Sequence, residues 1–161
     1  ELLQEYGVCL NIQTLILEKQ DYFFKHLSRI TIIEPALTLM EKLKKASIPI
    51  ALASSSSKEL IKRILDTFKL NHFFSVIQSG DDVENGKPAP DIFLLTAEKL
   101  SVKPEECIVI EDSLNGVQAG HAAGMTVVAV PNEYTKMLDF SYADYRIESL
   151  DEFYGLEVVR L

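Results

Sequence analysis

Ile108-Val109-Ile110-Glu111-Asp112-Ser113 is an apolar run that ends in two adjacent acids. Ionised carboxylates avoid an apolar core unless they are paired or bind a metal. In an open parallel α/β sheet, ligands bind beyond the carboxyl ends of the strands. Glu111 and Asp112 therefore stand where a hard cation such as Mg²⁺ could be held, because it takes carboxylate oxygens and keeps several waters. The alternative is a strand end carrying two solvated acids.

Outward from this stretch, strands and helices alternate. Residues 48–53, Ile-Pro-Ile-Ala-Leu-Ala, predict a strand with its proline near the start. Ser56-Ser57-Lys58-Glu59 matches a capping box with Ser56 as the cap, so a helix should run through Leu60, Ile61, Ile64, Leu65 and Phe68. Further strands are expected at 74–77, 107–110, 126–130 and 145–147, with helices at 91–100 and 114–123. Gly124 can close the second of these helices in a left-handed conformation. Such alternation implies right-handed crossovers and an α/β fold with a doubly wound parallel sheet.

Toward the N-terminus, Ile12, Leu15, Ile16, Tyr22, Phe23 and Leu27 recur at helical spacing. Residues 29–33 read as an extended connection, and Pro35 opens a helix whose face is Leu37, Met40, Leu43 and Ala46. The expected organisation is a helical segment, 1–31, followed by an α/β core, 32–161.

Composition narrows the function. A chain of 161 residues with 47% hydrophobic and 25% charged residues can bury a proper core. Its formal net charge of −8 argues against a broad nucleic-acid surface, so an anionic substrate must be drawn by a local positive site. No apolar run approaches the roughly 18 residues of a membrane span, and no signal peptide is legible. Cys9 and Cys107 read as reduced thiols of a cytoplasmic protein. His26, His72 and His121 have neither metal-ligand nor triad spacing.

Two further strand ends carry polar chemistry. Ser54 follows the first strand and precedes a helix, where a hydroxyl and free backbone N–H groups make an anion site; the alternative is simple capping. Lys87 lies in Gly86-Lys87-Pro88-Ala89-Pro90-Asp91, where two prolines hold the backbone before the helix extended. An ammonium fixed in this way suits a phosphate oxygen, although a solvated loop lysine is the alternative. A hydroxyl, a cation and an acid pair at one sheet edge together describe a phosphoryl-transfer site.

These stretches resemble the haloacid dehalogenase-like hydrolase superfamily, in the branch that contains β-phosphoglucomutase and sugar-phosphate phosphatases. The resemblance rests on residues 50–56, 86–93 and 110–124 and spans roughly Pro35 to Phe153. It implies that Ser54 and the Ser55 N–H bind the phosphoryl group and that Lys87 neutralises a phosphate oxygen. It further implies that Asp112 binds Mg²⁺, with Glu111 as ligand or outer support. The N-terminal helices would be the remnant of a helical cap, and the substrate a small phosphorylated metabolite.

One part of the family pattern is missing. The strand ending in Asp-x-Asp-Gly, which supplies the nucleophile and the general acid, is absent, and the 53 residues before Ser54 are too few to hold it. That strand lies centrally in the family's sheet, so its absence should leave a gap edged by unpaired backbone groups. The sequence, beginning at Glu1, thus reads as part of a longer enzyme. The alternative is a catalytically silent binding or structural domain. Phosphatase against mutase, and the oligomeric state, stay open.

Overall fold

The computed structural model describes residues 12–157, and the chain divides after Ile32 into two compact units. In the first, helix α1 (Ile12–Lys25) is followed by a short 3-10 turn, Leu27–Arg29. Tyr22 stacks on His26 one turn later, with ring centroids 4.1 Å apart. The apolar stripe read from the sequence does form a helix, but Leu15, Ile16, Leu17 and Tyr22 are exposed. Cys9 lies outside the described residues.

The second unit is the α/β core. Helix α2 (Glu34–Lys45) leads to strand β1 (Ala51–Ala53), helix α3 (Lys58–Phe68) and strand β2 (Val76–Gln78). Helix α4 (Asp91–Leu100), strand β3 (Ile108–Glu111) and helix α5 (Leu114–Ala122) follow. Strands β4 (Thr126–Ala129) and β5 (Tyr145–Arg146) and a 3-10 turn, Leu150–Gly155, complete it. Every pairing is parallel, as the alternation of elements requires.

Most strand ends and the end of the helix after β3 shift by a residue from the sequence reading, and three larger differences have a backbone reason. β1 starts at Ala51 because Ile48 is used elsewhere: its N–H closes α2 on the Leu43 carbonyl at 2.9 Å, after Ser47 turns the chain at φ 60°. β2 starts at Val76 because Phe74 still closes a 3-10 turn on the Asn71 carbonyl. The cap of α3 is Ser57, not Ser56, with the Leu60 N–H donating to Ser57 Oγ at 3.4 Å. Ser56 instead donates its N–H to Ser54 Oγ and accepts the Gly80 N–H on its carbonyl.

Among the described residues the strands fall into two hydrogen-bonded groups, β1–β2 and β3–β4–β5. A groove between them is lined by Ala51, Leu52 and Ala53 on one side and by 107–111 on the other, with Phe93 and Ala97 in its wall. Burial follows this division. Val127, Val128 and Ala129 of β4 have both faces covered and are fully buried. On β3, which has one neighbour, Val109 is buried while Ile108 and Ile110 are each 37% exposed.

The core on one face joins Ile92, Phe93 and Ala97 of α4 to Val109, Val117 and Val127. On the other, Leu39 of α2 packs with Val128, Ile147 and Phe153. Cys107 is a free, half-buried thiol, and burial followed by the Glu106 and Glu105 carboxylates pushes its pKa up. No helix among the described residues is long and apolar enough to cross a membrane.

After β2, a 3-10 turn (Gly80–Asp82) braces the loop that carries Ser54. The Gly80 N–H bonds the Ser56 carbonyl, Lys58 N–H bonds Asp81, and Lys58 Nζ lies 2.6 Å from Asp82 Oδ1. Lys58 first, then the Ser79 backbone N–H, hold the Asp82 carboxyl down at about 2. A carboxyl depressed on folding adds stability above its unfolded value, and that stability drains away as pH falls through the folded one. Stability should therefore decline between pH 4 and pH 2, and Asp82→Asn should flatten this part of a urea-denaturation pH profile while costing about 1 kcal/mol at pH 7.

Candidate functional site

The carboxyl ends of β1 and β3 open into a cleft of about 580 Å³ lined by Ser54, Ser55, Lys87, Glu111, Asp112 and Asn132, among others. Every site residue picked out from the sequence is in this lining.

Lys87 lies within a turn closed by the Ala89 N–H on the Gly86 carbonyl at 3.1 Å, so its backbone is not the plain extended segment that two prolines suggested; the Lys87–Pro88 peptide is cis. Its side chain runs inward, only 7% exposed, over the Phe93 ring with Nζ 4.5 Å from the centroid. The ammonium donates to the Ala53 carbonyl at 3.1 Å and to Glu111 Oε1. Lys87 thus links the end of β1 to the end of β3 across the groove. An ammonium has three donors, and these two bonds leave the third for an anion in the cleft.

The two acids part company. The Glu111 side chain is 12% exposed, and its second oxygen accepts the Ser113 hydroxyl at 3.0 Å. Its carboxylate lies so tightly over the start of α5 that a Cβ on Gly116 would overlap it. Ser113 also accepts the Gly116 N–H at 3.1 Å as the helix cap. Glu111 is therefore held by Lys87 and Ser113. Asp112 is exposed; its Oδ2 accepts from Asn132 Nδ2 at 2.9 Å, and its Oδ1 has no partner among the described residues.

Ser54 directly follows β1, its N–H paired with the Gln78 carbonyl at 3.0 Å. Its Oγ accepts the Ser56 N–H at 3.2 Å, which leaves the hydroxyl hydrogen free to donate. Ser55 is exposed in the same lining. The cleft thus offers two free donors, from Ser54 and Lys87, and one open carboxylate oxygen, from Asp112.

Among the described residues, no three His, Cys, Asp or Glu side chains gather as a protein cage for a metal. One open carboxylate oxygen beside anion donors nevertheless fits Mg²⁺, which commonly takes one or two carboxylates and completes its shell with water and phosphate oxygens. The residue that sequence reasoning passed over is Asn132. Its signal was available: Asn132 comes three residues after the end of β4, at another strand end of the same edge.

A haloacid dehalogenase-like hydrolase family model matches residues 1–130. The protein YhcW of Bacillus subtilis is 37% identical over 151 residues, covering 94% of this chain and 69% of its own length. The fructose-1-phosphate phosphatase YqaB of Escherichia coli is 40% identical over 82 residues, covering 51% of this chain and 44% of its own length. Among solved structures, CbbY from Rhodobacter sphaeroides in complex with xylulose-(1,5)bisphosphate superposes with a TM-score of 0.84 at 31% identity. That match covers 96% of this chain and 71% of CbbY. The chain thus spans from under half to about seventy per cent of these relatives. With its parallel sheet, its strand-end residues and these matches, the chain belongs to the haloacid dehalogenase-like hydrolase family.

Proposed function

We propose that this cleft serves Mg²⁺-dependent phosphoryl transfer on a small phosphorylated metabolite, a sugar phosphate, as a phosphatase or phosphomutase. The observation that carries the reading is the convergence of the free Ser54 hydroxyl, the third Lys87 donor and the open Asp112 Oδ1 on one cleft. Transfer of a phosphoryl group demands positioning and neutralisation of its charged oxygens more than covalent chemistry from the protein. The names of the relatives support the substrate class: one is a fructose-1-phosphate phosphatase, and another was solved with a pentulose bisphosphate.

In this reading Ser54 Oγ–H and the Ser55 N–H orient two phosphoryl oxygens, and Lys87 neutralises a third. Asp112 Oδ1 holds Mg²⁺, which when bound offsets the charge of the phosphate and of the attacking group. Glu111 supports from outside, holding the Lys87 ammonium in place. The nucleophile is an aspartate outside these 161 residues, on a strand that enters the groove between β1 and β3. Its carboxylate attacks phosphorus to give an aspartyl-phosphate. A second acid two residues on protonates the leaving oxygen and then activates water, or a sugar hydroxyl in a mutase. Among the described residues the edges of β1 and β3 that flank the groove have no strand partner, which supports this placement because a strand inside a sheet needs one on each side. Of the segment 1–31 read as a helical cap, residues 12–31 form its described part and 1–11 lie outside the described residues, and the free Cys107 thiol fits a cytoplasmic setting.

In the full-length protein, Asp112→Asn should lower Mg²⁺-dependent phosphate release from sugar phosphates and from a generic aryl phosphate by about 10²-fold or more. Unchanged turnover refutes the metal role, and a wild-type protein without turnover is the silent domain instead. Glu111→Ala should cost about 3 kcal/mol in urea denaturation, because it leaves the buried Lys87 charge unpaired. Adding Lys87→Met should recover most of that loss.

A further inference from the structure

Asn132 is joined to both the candidate metal carboxylate and the turn that walls the cleft. Its Nδ2 donates to Asp112 Oδ2 at 2.9 Å. Its Oδ1 accepts the Tyr134 N–H at 2.9 Å, and its backbone carbonyl accepts Thr135 and Lys136 N–H at 3.1 and 2.9 Å. Its own N–H donates to Thr135 Oγ1 at 3.0 Å. Backbone and side chain are all engaged, in an exposed loop where asparagine commonly makes only its local turn.

Two consequences follow. A carboxylate without an anchor rotates, and either oxygen then meets the cleft. With Oδ2 tied to Asn132, Asp112 presents Oδ1. Second, the turn from Asn132 to Leu138 is built on the same side chain. Thr135 and Leu138 of that turn, together with Ser113 and Asn115, line a further lobe of about 340 Å³, which shares Ser55 and Lys87 with the main cleft. Tyr134 and Met137 of the same turn are 91% and 88% exposed.

We infer that Asn132 is a positioning residue: it orients Asp112 for Mg²⁺ and thereby joins the metal site to the turn that walls the second lobe. This rests on the proposed metal role of Asp112. Asn132 touches no reacting atom, so it acts through Asp112. Removing a hydrogen-bond partner of a ligand typically weakens metal affinity 10–100-fold.

Two substitutions separate the metal role from the turn. Asn132→Ser keeps a side-chain oxygen for the Tyr134 N–H but loses the donor to Asp112. Thr135→Val loosens the turn and leaves the Asp112 bond intact. In the full-length protein, Mg²⁺ binding is read by isothermal titration calorimetry, and turn order by hydrogen exchange of the amides of residues 134–136. Asn132→Ser should weaken Mg²⁺ binding about 10-fold or more with those amides still protected. Thr135→Val should speed their exchange with Mg²⁺ affinity kept within about 2-fold. Wild-type Mg²⁺ affinity in Asn132→Ser overturns the positioning role alone. If Asp112→Asn binds Mg²⁺ as the wild type does, or the wild type binds none, the metal reading falls and this inference with it.

Discussion

The ammonium of Lys87, held between the Ala53 carbonyl and the Glu111 carboxylate, is the interaction on which the site depends. The two strand groups make no backbone hydrogen bond to each other among the described residues, so this side chain spans what the ladder does not. Burial makes the arrangement demanding. A cation that is 7% exposed must be paired, and Glu111 must in turn be held, which Ser113 and the close approach of Gly116 achieve. One donor of the lysine is left over, and it is the one that chemistry can use.

This economy separates two acids that stand side by side in the sequence. β3 ends at Glu111 and Ser113 already caps α5, so the chain leaves the strand direction at Asp112. Glu111 is carried inward to Lys87 and Ser113, while Asp112 is left at the surface with one oxygen tied to Asn132. The partner that holds Lys87 and the open carboxylate oxygen of the cleft thus come from one dipeptide. A short helix-capping serine serves both, since Ser113 donates to Glu111 and accepts from Gly116.

The groove between β1 and β3 has its own physical signature. Interior strands of a doubly wound sheet are covered on both faces and paired on both edges. β4 meets that standard and is fully buried, but β3 does not, with Ile108 and Ile110 each 37% exposed. The central position of the groove, and not merely its existence, connects it with the site: Ala53 and Glu111, which grip Lys87, are the last residues of its two flanking strands.

The sequence by itself determined the order of the elements and the parallel α/β class, which follow from local pattern: apolar runs of strand length, amphipathic spacing between them, and polar residues at strand ends. It located Ser54, Lys87, Glu111 and Asp112 for the same reason. The family was legible from the resemblance of residues 50–56, 86–93 and 110–124. Backbone competition blurred the boundaries, as when Ile48 closed α2 instead of extending β1 and Ser57 took the cap expected of Ser56. Only the tertiary structure decided what each site residue has left to give. Hydrogen-bond capacity is consumed by partners distant in sequence: Lys87 by a carbonyl 34 residues away, Asp112 by an asparagine 20 residues on. No local pattern encodes those pairings, because they are made by the packing of strands that the chain reaches separately.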